Sequence, residues 1–252
     1  MYRKLTSASV ASVYSLLLLF PVLTSSTTVP AAHPKSASVT VTNHKNLFSS
    51  SVIKNESHVI YDSLKLETFG LERKAFEYAW LGYQTLLEKG KLKNAGIFSI
   101  CDFSQSSCKK RLYIIDVAEM KVVLNTYVAH GRKSGGEFAR YFSNLPKSHK
   151  SSLGFYITES TYFGGHGLSL KIKGLEKGIN DKADARNIVI HGSDYVGDRF
   201  LEENPFNGRS FGCPAIPASQ TSEIINTIKD GSCLFIYHPT KLYLATSKIL
   251  NG

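Results

Sequence analysis

Between Gly96 and Tyr237 the chain is cut into short runs of β-branched, aromatic and aliphatic residues separated by turn-forming clusters, and this punctuation limits the fold more than any other feature. The runs are Gly96 to Cys101, Arg111 to Val117, Val122 to Ala129, Gly154 to Thr158, Ser169 to Ile172, Asn187 to His191 and Cys233 to Tyr237. Each has the length of a strand and is too short for a self-sufficient helix, so the region reads as mostly β-sheet. Ahead of it, Val59, Ile60, Leu64 and Leu66, then Leu71, Phe76, Ala79, Trp80, Tyr83 and Leu86, recur at three- and four-residue spacing with Gly70 as a break. That period predicts two amphipathic helices. A further helix is expected from about Ala218 to Lys229, where Pro217 suits an early helical position, Ile224, Ile225 and Ile228 share one face, and Gly231 provides a stop. The fold class is therefore α+β, predominantly β, with helices at the N-terminus and one after Cys213.

The start of the chain reads differently. Met1-Tyr-Arg-Lys is basic, Val10 to Leu23 is mostly apolar, and small residues follow at Thr24, Ser25, Ser26, Ala31 and Ala32. This is the pattern of a secretory signal peptide, assigned to residues 1–26, with a retained N-terminal anchor as the alternative. The apolar part is too short and interrupted for a spanning helix, so no stable membrane insertion is expected after cleavage. Residues 27–56 are rich in Ser and Thr without periodicity and read as a disordered linker. Residues 57–252 are then one domain.

The formal charge of +10 favours an anionic partner. The lysines are scattered and not interleaved with aromatics, so no nucleic-acid motif is present. An anionic wall polymer or membrane surface fits better, and a merely solvated basic surface fits as well. Four cysteines, at 101, 108, 213 and 233, would meet an oxidising compartment. Cys101 and Cys108 flank the polar turn "DFSQSS" and stand as either a bridged pair or two free thiols, and Cys233, in the apolar run "SCLFIYH", reads as a buried inert thiol.

Cys213 lies in "GRSFGCPAIP". A thiol attacks as thiolate, so it needs a base and donors for the oxyanion it creates. Among the histidines, His33, His58, His149 and His238 read as surface residues, whereas His130, His166 and His191 sit at or near strand ends. His191 is the best candidate, because a strand end followed by Gly192 presents the ring at a sheet rim. Pro214 has no N–H, so the oxyanion donors must come from the amides of Cys213 and of Gly212 or Phe211, with the Ser210 hydroxyl as a further candidate. Arg209 offers a planar, bidentate cation for a substrate carboxylate, or else a structural bridge to a loop acid. Tyr162 and His166, in "TYFGGHG", are further candidate substrate contacts.

His191-Gly192 followed downstream by Ser210-Phe-Gly-Cys213 resembles the signature of the peptidoglycan L,D-transpeptidases, the YkuD-type catalytic domain. Phe211 stands where that family carries a second histidine, and Ala215 replaces a polar residue. The chain is similar to a divergent branch carrying a "GRSxGCPA" motif, through "VAHGRKSG", "FSN", "SSLGFY", "HGLSLKIKGLEKGIND" and "RNIVIHGSDYV". The resemblance implies a β-sandwich catalytic domain in which Cys213 is the acyl-forming nucleophile and His191 its base. It further implies that the Gly192 carbonyl orients the imidazole and that Ser210, Gly212 and Cys213 form the oxyanion side. The implied substrates are peptidoglycan stem peptides, processed by transfer or hydrolysis without cofactor or metal, in the periplasm or wall of a bacterium. Two other readings stand beside it: a wall-binding module with a spent site, and a zinc hydrolase using His130, His166, His191 and Cys213, although no close-spaced ligand pair appears.

Overall fold

The computed structural model describes residues 44–252. Residues 1–26, and the linker as far as residue 43, lie outside the described residues.

The apolar spacing of the N-terminal part is realised in two helices, α1 (His44–Ser63) and α2 (Arg73–Glu88). Between them Gly70 adopts φ +81°, a left-handed conformation that glycine accepts without strain. Helix α1 begins well inside the stretch 27–56 expected to be linker. The correction has a packing reason: Tyr61 and Leu64 are buried, Ile53 and Ile60 pack against the core, and Trp80 Nε1 donates to Glu56 Oε2 at 3.1 Å.

Eight strands follow: β1 (Ile97–Asp102), β2 (Leu112–Asp116), β3 (Lys121–Thr126), β4 (Gly154–Gly164), β5 (Gly167–Gly174), β6 (Val189–Ser193), β7 (Ala215–Pro217) and β8 (Cys233–Tyr237). They form one mixed sheet in the order β3-β2-β1-β8-β4-β5-β6-β7. Only β1–β8 and β6–β7 are parallel. Helix α2 covers the centre of the sheet, with Tyr83 against Phe98 at 5.0 Å between ring centroids. A Cβ on Gly82 would stand 1.9 Å from the Phe155 ring, so only glycine lets that helix approach.

Shorter helices complete the chain: α3 (Asp198–Glu203), α4 (Thr221–Ile228), α5 (Lys241–Thr246) and α6 (Lys248–Asn251). Helix α4 buries Ile224, Ile225 and Ile228 completely, as the spacing predicts. It starts at Thr221, after a 3-10 turn, because Pro217 is used instead as the last residue of β7.

The two outer strands nearly meet. Just beyond β3, Ala129 exchanges both backbone hydrogen bonds with Ala215 of β7, at 2.8 and 3.3 Å. The sheet therefore curls toward a barrel, and this closure brings the segment around His130 against the segment around Cys213. The β1–β2 hairpin forms as expected between Cys101 and Leu112, but all four cysteines are free thiols. Cys101 is buried, and Cys108 contacts the Pro205 carbonyl at 3.4 Å.

Candidate active site

His191 sits in β6 between Ser169 of β5 and Ala215 of β7. Paired residues of a parallel ladder point to the same side of the sheet. Carried back two residues, the register sets Cys213 beside Val189, whose N–H lies 3.5 Å from Cys213 Sγ. Cys213 thus meets the backbone of β6 two residues before His191. Sγ spends its hydrogen bonds on backbone, the second being to the Asn187 carbonyl at 3.6 Å.

His191 Nδ1 lies 2.9 Å from the Gly192 carbonyl oxygen. A carbonyl only accepts, so Nδ1 carries the proton and the neutral ring holds its lone pair on Nε2. Burial lowers the His191 pKa below its ordinary value, opposed by the Gly192 carbonyl and reinforced by the charge of His166. The His166 ring, at the tip of the β4–β5 hairpin, stacks on His191 with centroids 4.2 Å apart and planes at 19°. Gly192 is demanded by packing as well, since a Cβ there would stand 2.0 Å from Thr221 Oγ1 of α4.

For Cys213, burial pushes the thiol up, while the Val189 N–H and the Arg186 charge pull it down. Both shifts favour the uncharged forms, thiol and neutral imidazole. Cys101 and Cys233 are fully buried and pushed far higher, with no base at hand.

Three loops, two of them glycine-bearing, converge behind Cys213. A Cβ on Gly131 would lie 2.6 Å from the His149 carbonyl oxygen and 2.9 Å from Gly212 Cα, and one on Gly212, at φ +130°, would lie 2.9 Å from the Lys150 carbonyl oxygen. Ser151 ties them together: its Oγ accepts from Gly131 N at 3.0 Å and donates to the Gly212 carbonyl at 3.2 Å. Arg186 clamps the outer loop, donating to the Ser143 carbonyl at 2.8 Å, the Lys150 carbonyl at 2.5 Å and the Ser152 hydroxyl. Its charge acts on the thiol, and sequence reasoning passed over it although it opens the quoted run "RNIVIHGSDYV".

Ser210 and Gly212 occupy places other than those expected. Ser210 Oγ donates to the Cys213 carbonyl at 2.6 Å and accepts from Gly212 N at 3.0 Å, so hydroxyl and amide brace the turn and are not free to meet an oxyanion. Among the described residues the Phe211 N–H makes no hydrogen bond and the Cys213 N–H meets only its own sulfur, which leaves these two as the available donors. Phe211, 61% exposed, stands edge-on to His149 at 4.9 Å and beneath the Arg132 guanidinium at 4.5 Å. His149, read as a surface residue, therefore borders the site.

The remaining candidates separate. His130 is buried, its Nδ1 2.9 Å from Arg111 Nη2, and burial with that guanidinium holds its pKa at about 3. A ring facing a cation is poorly placed to ligate a metal, and among the described residues no three His, Cys, Asp or Glu side chains converge on a metal position. Tyr162 lies on β4 opposite Ser169, 38% exposed, with Lys171 Nζ 5.9 Å above its ring. His166 lines a cavity of about 510 Å³ with Gly192, Asp194 and Thr221. Arg209 donates to the Gly135 carbonyl at 3.2 Å and makes no bridge to a loop acid.

Residues 67–237 match the family model described as the L,D-transpeptidase catalytic domain. The chain belongs to that family. Similar solved structures include an L,D-transpeptidase from Mycobacterium smegmatis, at 7% identity over 57% of this chain and 59% of that one, with a TM-score of 0.35. An L,D-transpeptidase from Mycobacterium tuberculosis matches at 12% identity over 57% of this chain and 58% of that one, TM-score 0.34. The helical cell shape determining protein Pgp2 from Campylobacter jejuni matches at 15% over 64% and 56%, TM-score 0.37. This chain thus spans less than two thirds of the length of these structures. The search of curated proteins found no match. In this L,D-transpeptidase domain, the family match covers the whole ladder from β1 to β8, including His191 and Cys213. Among the described residues no helix is long and apolar enough to cross a membrane.

Proposed function

We propose that the protein is an exported peptidoglycan L,D-transpeptidase or L,D-carboxypeptidase that works through an acyl-enzyme on Cys213. The observation that supports this reading is that the half-buried Cys213 thiol meets the backbone of the strand that carries His191, a histidine whose Nδ1 is committed to the Gly192 carbonyl. Cys213 turns from the Asn187 carbonyl toward His191, and Nε2 takes the thiol proton. The thiolate attacks the amide carbonyl between the third residue of a tetrapeptide stem and its terminal D-alanine. The developing oxyanion lies against the Cys213 and Phe211 amides. When the C–N bond breaks, the imidazolium returns the proton to the leaving amine, D-alanine departs, and a thioester remains. An amine of a second stem resolves it into a cross-link, or water resolves it into a tripeptide. His166 and Tyr162 flank the entry on the hairpin side, and Arg209 engages a substrate carboxylate. None of these steps calls on a metal or organic cofactor.

The second reading, a wall-binding module, draws on the observation that Sγ is bonded to backbone and its pKa is raised. Mass spectrometry of muropeptides after incubation with tetrapeptide-rich peptidoglycan separates the readings. New 3→3 dimers identify a transferase and tripeptides a hydrolase, whereas unchanged muropeptides with retained protein identify a binder.

A further inference from the structure

Beside the catalytic loop, and lined by neither Cys213 nor His191, lies a cavity of about 360 Å³ walled by Arg132, Arg209, Phe200, Phe206, Asn204 and Asn207. No acidic side chain lines it. The Arg209 guanidinium lies 5.5 Å from the Phe206 ring centroid and spends one N–H on the Gly135 carbonyl. The Arg132 guanidinium lies 4.5 Å over Phe211 and contacts His149 Nδ1 at 3.3 Å. The ion pairs among the described residues are all elsewhere, on α1 and α2. Two guanidiniums therefore keep most of their donors while their flat faces rest on aromatic rings, an arrangement that fixes the planar fork and leaves its edge for an oxyanion.

The backbone fixes this cavity relative to the nucleophile. Gly131 and Ser210 form a parallel bridge, and Arg132 N donates to the Ser210 carbonyl at 2.8 Å, so both arginines adjoin one rung. Phe211, the ring under Arg132, is two residues from Cys213.

We infer that Arg132 and Arg209 together form a carboxylate-binding subsite that holds an acidic group of a peptide stem away from the scissile amide. This rests on the proposed reading for the identity of the stem, and it assigns Arg132 a role that the motif does not. A cation pair with a fork geometry selects a planar carboxylate, and the small volume admits one acidic side chain or terminus with its neighbours, not a second folded chain.

The test is calorimetric titration of the full chain carrying Cys213→Ser with a free-acid tetrapeptide stem, its fully amidated analogue and inorganic phosphate. The free acid should bind at least roughly tenfold more tightly than the amide, and Arg132→Gln and Arg209→Gln should each cost roughly ten- to over a hundredfold, the range of a charge-assisted hydrogen bond. The double variant should lose less than the product of the two, because both side chains meet one anion. Arg132→Lys and Arg209→Lys keep the charge without the fork and should recover only part of the affinity, which separates loss of the site from loss of fold. Equal affinity for acid and amide, or indifference to both arginines, overturns the inference. Tighter binding of phosphate than of the free acid overturns the carboxylate class. D-alanine release by the parent chain is read separately: if none occurs while the arginine-dependent preference for the acid persists, the subsite stands and the catalytic proposal falls.

Discussion

Two histidines flank the loop that carries Cys213, and their environments are opposites. His130 follows β3 on one side, where its carbonyl accepts from Ser210 N, and His191 lies in β6 on the other. Both are buried and both have lowered pKa values. The difference is the partner of Nδ1. The buried Arg111 guanidinium can only donate, so it fixes His130 as an acceptor; the Gly192 carbonyl can only accept, so it fixes His191 as a donor with a free lone pair on Nε2. One histidine completes a buried cation's shell, and the other is left with a base to offer.

The comparison is broken most severely at His191. His191→Ala should slow acylation by ~10²–10⁴, the range for loss of a positioned base, and flatten the pH profile of Cys213 alkylation. In His130→Gln, whose side-chain carbonyl keeps an acceptor for Arg111, that profile should stay as in the parent. An unchanged profile in His191→Ala would separate the pair.

The next effect is on stability against pH. His130 has a folded pKa of about 3, below its unfolded value of ~6.5, so its contribution is complete above ~6.5 and is lost as pH falls toward 3. At ~1.4 kcal/mol per pH unit, the parent should lose up to about 2 kcal/mol more than His130→Gln between pH 6.5 and pH 5. Urea unfolding of both proteins at the two values measures it, and equal losses would mean that Arg111 does not hold the ring neutral.

Close packing of the loop between the two histidines gives a change of similar size. Gly212→Ala puts a methyl 2.9 Å from the Lys150 carbonyl oxygen at φ +130°, and should cost ~1–3 kcal/mol while slowing alkylation of Cys213. Phe211→Ala should shift stability by less than ~0.5 kcal/mol, because the ring is mostly exposed, and should act only through substrate binding. A thermal midpoint well below the parent's would make the Phe211, His149 and Arg132 stack part of the fold.

Seven of the eight strands and the faces of α2 and α4 were legible in the sequence, because the strands are short β-rich runs bounded by turn residues and the helices bury residues at a helical period. Strand β7 was not: the three residues Ala215–Pro217, preceded by Pro214, carry too little pattern, and it exists because β6 pairs it on one side and Ala129 on the other. Cys213 and His191 could be picked out because thiolate chemistry requires a base at a rim. Arg186, Arg132 and His149 could not, since they reach the site from loops that meet only when the curled sheet brings its outer strands together. The Ser210 hydroxyl was legible as a polar group beside the nucleophile but not as a brace, a role set by the turn that returns it to the Cys213 carbonyl.

The central claim is that Cys213 becomes acylated by a stem peptide. Intact-mass and peptide-mapping spectrometry after brief exposure to a tetrapeptide stem tests it directly, with D-alanine release followed in the same sample. The expected result is a tripeptidyl thioester on Cys213, stoichiometric early release of D-alanine, and neither in Cys213→Ser. An adduct on Cys101, Cys108 or Cys233, or D-alanine release at the parent rate by the serine variant, would contradict it.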